Sequence, residues 1–150
     1  MKFIYDDKGY SRDILQSIAR PKEQQIIITL NDDKLVSVCP LYNLSDYSRV
    51  VINYIPNDKI VELDSFENYL FSMRKEPIFH EDLGQRILDD FVATIDPEYI
   101  EVRLVSNSAE QTIPRMQAIN LRLFWNYAKS GSKYEEFKEK RFFEYLCEAR

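Results

Sequence analysis

The amino-acid sequence predicts an α+β fold in which an antiparallel sheet carries helices on one face. Three observations support this prediction. Stretches rich in β-branched or alternating residues come first, two segments with helical periodicity follow, and further alternating stretches come after them. A charged helical stretch ends the chain. With 150 residues, 45% of them hydrophobic, the chain is long enough for one domain with a single core.

The first half of the chain predicts a polar arm and three strands. Residues 1–24 form the arm, with a short helix over 11–19. Residues 31–33, Asn-Asp-Asp, predict a turn, and residues 41–47 predict a loop. The strands between these breaks are predicted over residues 25–30, 35–39 and 49–55.

Two helices follow these strands. Ser65 predicts an N-cap for a helix over 66–73. A second helix is predicted over 80–95, where apolar residues recur on one face until Pro97 prevents continuation. The remaining predicted elements are strands over 99–105 and 117–127 and a C-terminal helix over 133–148.

The composition argues against several classes of function. A net charge of −5 does not suit tight nonspecific binding of nucleic acid through a basic surface. No stretch approaches the roughly 20 apolar residues of a membrane span, and the first residues are too polar for a signal peptide. We therefore expect a cytoplasmic protein without a membrane partner. A single histidine and two separate cysteines, expected as free thiols, predict no bound metal.

Cys39 is the strongest candidate for chemistry. It ends a predicted strand in a Val-Cys-Pro segment, and a thiolate is the most nucleophilic side chain at neutral pH. The position would equally suit a structural thiol, because free cysteines are usually buried. Asp46 follows seven residues later. It is close enough in sequence to return beside Cys39 and transfer a proton, although it could instead cap a turn.

His80 and Glu81 begin the second predicted helix. The histidine could transfer protons, or it could simply cap or pack the helix start. Glu81 is favourable there through the helix dipole alone, but its carboxylate could accept paired hydrogen bonds from a purine-like N–H and amino group. Together with Cys39 and Asp46, the pair suggests covalent chemistry on a small, polar, ring-shaped substrate.

These residues lie in segments that resemble a known family. VSVCP, with Asp46 seven residues after the cysteine, resembles the nucleophile region of the QueF-type nitrile reductases, the 7-cyano-7-deazaguanine reductases. VELxSxxxYLFSxR followed by FHED is similar to a specific signature of that family. The tail GSKYEEFKEKRFFEY is similar to its C-terminal segment, so the likeness covers roughly residues 26–150.

The resemblance implies an architecture. It predicts a tunnelling fold, an antiparallel sheet with two helices packed on one face, in a single domain over residues 1–150. Members of the family form homo-oligomeric rings, which predicts a pentamer or a decamer here. Their active sites form between subunits.

The resemblance also implies roles for individual residues. Cys39 would attack the nitrile carbon to give a covalent thioimide, Asp46 would donate a proton, and His80 would assist proton transfer. Glu81 would hold the deazaguanine ring, and Glu62 would also contact the base. The reaction would reduce the small-molecule nitrile to an aminomethyl product with NADPH, in a queuosine-type pathway.

One departure from the family pattern favours an alternative. Asp64 and Glu67 stand where the family carries lysines associated with NADPH recognition. An acid there reverses an attraction worth about 1–4 kcal/mol per close charge pair. The QueF-like amidinotransferases need no NADPH and add ammonia to the nitrile, which gives an amidine on a base carried by tRNA or DNA. A noncatalytic binding member of the fold is a second alternative.

Overall fold

The computed structural model describes residues 9–21, 24–106 and 120–148. Its larger sheet is antiparallel, with strand order β2-β3-β5-β6. The four strands of this sheet are β2 Ile28–Val38, β3 Ser45–Ile55, β5 Tyr99–Ser106 and β6 Leu121–Ala128. Two short strands, β1 Ser17–Ala19 and β4 Lys59–Val61, pair antiparallel in a separate sheet.

Two helices cover one face of the larger sheet, as the sequence predicts. They are α1 Leu63–Ser72 and α2 His80–Ile95, and a 3-10 turn over Met73–Lys75 follows α1. The ring of Phe91 in α2 meets the ring of Tyr54 in β3 edge-on at 6.3 Å. The buried apolar side chains between these helices and the sheet form one continuous core. Among the described residues, no helix is both long and apolar enough to cross a membrane.

The third helix, α3 Glu135–Glu148, lies on the opposite face of the sheet. Its Arg141 donates two hydrogen bonds to the buried carboxylate of Glu101 on β5, at 3.2 and 3.0 Å. Glu101 points away from the side of Ile100 and Val102, which face α1 and α2, because side chains alternate along a strand. The sheet is therefore covered on both faces, which the expectation of helices on one face did not include.

Helix α2 has the predicted limits. The side chains that form its buried stripe are Leu83, Ile87, Leu88, Phe91 and Ile95. Its last turn ends at Asp96, which takes a left-handed conformation with φ of 44° just before Pro97. Burial of this apolar face stabilises the helix more than intrinsic propensity does.

Other predicted limits were wrong in the first half of the chain. Residues 31–33 do not form a turn, because β2 continues through them with a register irregularity between Asp32 and Leu35. The backbone N–H of Lys34 donates to the Asp32 carboxylate at 2.8 Å within this irregularity. The predicted loop over 41–47 is shorter, and Asp46 belongs to β3.

The predicted arm helix and the predicted cap of α1 were also wrong. Only Arg12–Ile14 form a 3-10 turn, after which the chain extends into β1. The N-cap of α1 is Glu62 rather than Ser65, because the Glu62 carboxylate accepts two backbone hydrogen bonds from the first turn. The part of the last predicted strand before residue 120 lies outside the described residues.

The buried carboxylate of Asp90 joins the N-terminal arm to α1 and α2 through hydrogen bonds. Asp90 of α2 is 1% exposed and accepts hydrogen bonds from the Tyr10 hydroxyl at 2.5 Å, the Tyr69 hydroxyl at 2.6 Å and the Arg12 guanidinium at 2.6 Å. Burial and the neighbouring Asp90 carboxylate raise the pKa of Tyr10 to about 12. The buried Asp90 carboxylate therefore accepts from three donors, as a buried polar group requires.

A side chain at position 84 is expected to destabilise the protein, because α2 approaches β6 closely there. A Cβ atom added at Gly84 would lie 2.1 Å from ring carbons of Trp125. We predict that Gly84→Ala lowers the free energy of unfolding by about 1–3 kcal/mol through overpacking, although alanine is the better helix former by about 1 kcal/mol. Urea denaturation measures the change, with Gln85→Ala at the neighbouring exposed position as the control. Equal or greater stability of Gly84→Ala would contradict the close contact.

Candidate active site

The candidate site lies at one end of the larger sheet. The last residue of β2, the first of β3, the last of β5 and the first turn of α2 meet there. Cys39 lies in the hairpin between β2 and β3. Its N–H donates to the Leu44 carbonyl at 2.8 Å, and its carbonyl accepts from the Asn43 N–H at 2.9 Å. Asn43 closes this turn in a left-handed conformation with φ of 54°, which asparagine tolerates.

A short parallel bridge brings the start of α2 to the same place. The Val38 N–H donates to the Glu76 carbonyl at 2.9 Å, and the Ile78 N–H donates to the Val38 carbonyl at 3.0 Å. Val38 immediately precedes Cys39, and His80 follows Ile78 by two residues. The bridge therefore holds the helix start against the end of the cysteine-bearing strand.

Asp46 and His80 lie near each other at this end of the sheet. The distance from His80 Nε2 to Asp46 Oδ2 is 3.9 Å, and each side chain is 14% exposed. At this distance and burial the two side chains can share a proton-transfer role or form an ion pair when the imidazole is protonated.

Cys39 lies at the same end of the hairpin as Asp46. Asp46 pairs in register with Ser37, two residues before the cysteine. The thiol is partly buried, whereas the other cysteine, Cys147, is exposed on α3. The hairpin therefore places the partly buried Cys39 at the end of the sheet where the Asp46 carboxylate and the His80 imidazole meet.

Ser106 is a site residue that the sequence analysis missed. Its Oγ lies 2.9 Å from His80 Nε2, and its O–H group donates to the Tyr47 carbonyl at 3.1 Å. The side chain is 4% exposed at the last position of β5. A signal was present, because continued alternation from Val102 and Leu104 puts position 106 on the face that α2 covers.

Glu81 and Glu62 have different positions relative to this site. Glu81 is exposed in the first turn of α2, directly after His80. Glu62 follows Val61, whose N–H donates to the Tyr54 hydroxyl near the other end of β3. Asp46 and Tyr54 are eight residues apart, roughly 27 Å along an extended strand. Within one chain, Glu62 therefore does not reach the site that Cys39 occupies.

The start of α1 is acidic. The Glu62 carboxylate accepts from the N–H groups of Asp64 at 3.0 Å and Ser65 at 2.6 Å. Asp64 is half-buried and Glu67 is exposed on the following turn. A helix start usually attracts anions through its free N–H groups. Here a carboxylate of the chain itself already accepts from two of them.

Comparison with known proteins now identifies the family. The family model described as QueF-like protein matches residues 45–107. A reductase of Exiguobacterium sp., named NADPH-dependent 7-cyano-7-deazaguanine reductase, is 35% identical over 135 residues, which cover 89% of this chain and 79% of the relative. A Porphyromonas gingivalis protein of the same name is 36% identical over 88% of this chain and 82% of its own length. The chain belongs to the QueF-like family.

A solved structure supports the same relationship at the level of the fold. The archaeosine synthase QueF-Like in its apo form superposes with a TM-score of 0.61 and 23% identity, over 72% of this chain and 98% of that one. The segment matched by the QueF-like family model contains Asp46, Glu62, His80, Glu81 and Ser106, and Cys39 lies just before it.

Proposed function

We propose that this QueF-like chain is an enzyme that converts the nitrile of 7-cyano-7-deazaguanine through a covalent thioimide on Cys39. The observation that carries the proposal is the convergence of the Cys39 hairpin, Asp46 and the His80 imidazole at one end of the sheet. The close similarity to proteins named 7-cyano-7-deazaguanine reductase supports the choice of substrate.

The chemistry of a nitrile explains why a thiol is needed. A nitrile carbon is a weak electrophile, and covalent attack divides a difficult step into easier ones. The Cys39 sulfur forms a bond to the nitrile carbon, one C–N π bond breaks, and the nitrogen takes up a proton. Asp46 accepts the thiol proton and delivers it to that nitrogen, with His80 beside it. The sum is addition of S–H across the triple bond.

Substrate binding is assigned to the two glutamates. Glu81 is exposed beside His80, where its carboxylate is open to paired N–H donors of a deazaguanine ring. Glu62 contacts the base only if another copy of the chain supplies it, because it lies near the end of β3 that is opposite to Asp46. The homo-oligomeric ring of the tunnelling fold, which the family resemblance implies, has its sites between subunits and would supply Glu62 from a second copy.

Reduction to the aminomethyl compound is the outcome we propose, because the relatives are named as NADPH-dependent reductases. The first turns of α1, however, do not fit the phosphate groups of NADPH. Asp64 and Glu67 place carboxylates where attraction to phosphate requires cations, and Glu62 accepts two of the N–H groups of that helix start. The steps assigned to this chain therefore end at the protonated thioimide.

The acidic start of α1 favours a second candidate, in which ammonia attacks the thioimide. The C–S bond then breaks, Cys39 recovers its thiol proton, and the product is an amidine. This reaction needs no nicotinamide cofactor. Its substrate base would be carried by tRNA or DNA.

The thioimide is tested by intact-protein mass spectrometry. Incubation with 7-cyano-7-deazaguanine, without NADPH or ammonium, should add the mass of one substrate molecule to each chain, because nothing consumes the intermediate. Cys39→Ala should give no adduct. Cys147→Ala is the matched control and should keep the adduct, since that thiol is exposed on α3 away from the site. An adduct that persists in Cys39→Ala would contradict covalent attack by Cys39.

The role of Glu81 is tested by calorimetric titration in a Cys39→Ala background, where no bond forms. Glu81→Gln should weaken binding of 7-cyano-7-deazaguanine roughly 10- to 100-fold, because hydrogen bonds to a charged acceptor contribute about 1.5–3 kcal/mol. Asp82→Asn is the control, since Asp82 is the next residue and is equally exposed in the first turn. Equal affinity of the Glu81 and Asp82 variants would remove Glu81 from base recognition.

A further inference from the structure

Ser106 and His80 make a contact that the proposed mechanism does not use. Ser106 Oγ lies 2.9 Å from His80 Nε2, and the serine is 4% exposed. The two residues come from different elements, the end of β5 and the start of α2, and are 26 positions apart. Asp46 Oδ2, at 3.9 Å from the same imidazole nitrogen, is the more distant neighbour.

Another hydrogen bond of Ser106 favours one direction for this contact. A serine hydroxyl has one hydrogen and two lone pairs. Its oxygen lies 3.1 Å from the Tyr47 carbonyl, which can only accept, so the hydroxyl hydrogen points to that carbonyl. A lone pair of Ser106 Oγ is then available to His80 Nε2, and the 2.9 Å contact is a hydrogen bond in which the imidazole donates.

We infer that Ser106 is a positioning residue that holds His80 with its hydrogen on Nε2, which leaves the lone pair of the neutral ring on Nδ1. The bond that one ring nitrogen makes determines the chemistry left to the other. Ser106 thereby fixes both the tautomer of the neutral ring and its orientation beside Asp46. The catalytic consequence of this arrangement rests on the proposed function, whereas the tautomer itself does not.

Neighbouring serines show that the contact is specific to Ser106. Ser48 lies directly opposite Ser106 in the sheet register, and Ser37 pairs with Asp46. Both are buried on the same face, and within the described residues their hydroxyl oxygens have no hydrogen-bond partner. A buried serine at this end of the sheet therefore does not automatically bond the imidazole. Ser48 supplies a matched control of the same size, burial and face.

The tautomer can be read directly because His80 is the only histidine in the chain. In the full-length protein labelled with ¹⁵N-histidine, we expect one imidazole N–H cross peak, assigned to Nε2, with Nδ1 unprotonated in the neutral form. A hydrogen-bonded N–H exchanges slowly enough with water to be observed. A hydrogen found on Nδ1 instead would overturn the inference.

Three variants separate the hydrogen bond from packing. Ser106→Ala should lose the Nε2–H cross peak, because the proton is then open to exchange. Ser106→Thr keeps a hydroxyl and should retain the peak, and Ser48→Ala should leave it unchanged. Persistence of the peak in Ser106→Ala, or its equal loss in Ser48→Ala, would refute the role of Ser106.

Turnover of 7-cyano-7-deazaguanine provides the functional readout. Ser106→Ala should lower kcat by at least about tenfold with KM little changed, since a positioned proton-transfer group contributes about 10²- to 10⁴-fold. Ser106→Thr should restore most of the rate. A kcat of Ser106→Ala equal to that of Ser48→Ala would refute the catalytic consequence. If the unaltered protein converted no nitrile, the proposed function would fail, while the cross peaks would still decide the tautomer.

Discussion

Two backbone hydrogen bonds determine the geometry of the candidate site. They join Val38, the last residue of β2, to the carbonyl of Glu76 and the N–H of Ile78 just before α2. This bridge holds the hairpin that carries Cys39 against the helix start that carries His80, although the two segments are far apart in the sequence. Because these bonds are made by the backbone, they depend on the path of the chain between α1 and α2 rather than on any one side chain. The bridge therefore positions the chemistry without contributing to it.

Buried carboxylates organise the regions away from the site. Asp90 joins the arm to α1 and α2, and Glu101 joins α3 to the opposite face of the sheet. Each of these charges is surrounded by hydroxyl or guanidinium donors, which offsets the cost of burial. At the site, by contrast, Asp46 and His80 remain 3.9 Å apart, and His80 makes a shorter contact with Ser106. A carboxylate that is not held in a tight ion pair is better suited to proton transfer than one that is.

Some features could be predicted from the sequence because local patterns determine them. The apolar stripe and Pro97 define α2, and the spacing of Cys39 and Asp46 suits a hairpin. Other features depend on distant pairing. Residues 31–33 have turn composition, yet Asn31 and Asp32 pair with β3 and the pairing resumes at Leu35, so the strand continues. The contact of Ser106 with His80 joins two elements whose approach no local pattern reveals, and the same is true of the distance between Glu62 and Cys39.

The most direct measurement is the product formed from 7-cyano-7-deazaguanine, identified by mass spectrometry after incubation with NADPH and ammonium together. Conversion of the nitrile to the aminomethyl compound is the expected result, and it should be absent with Cys39→Ala. An amidine product would agree with a Cys39 thioimide but would show that the intermediate reacts with ammonia rather than being reduced. That result would fit the acidic start of α1. Nitrile that stays unreacted, both as the free base and within RNA or DNA, would contradict the assignment of this site to nitrile chemistry.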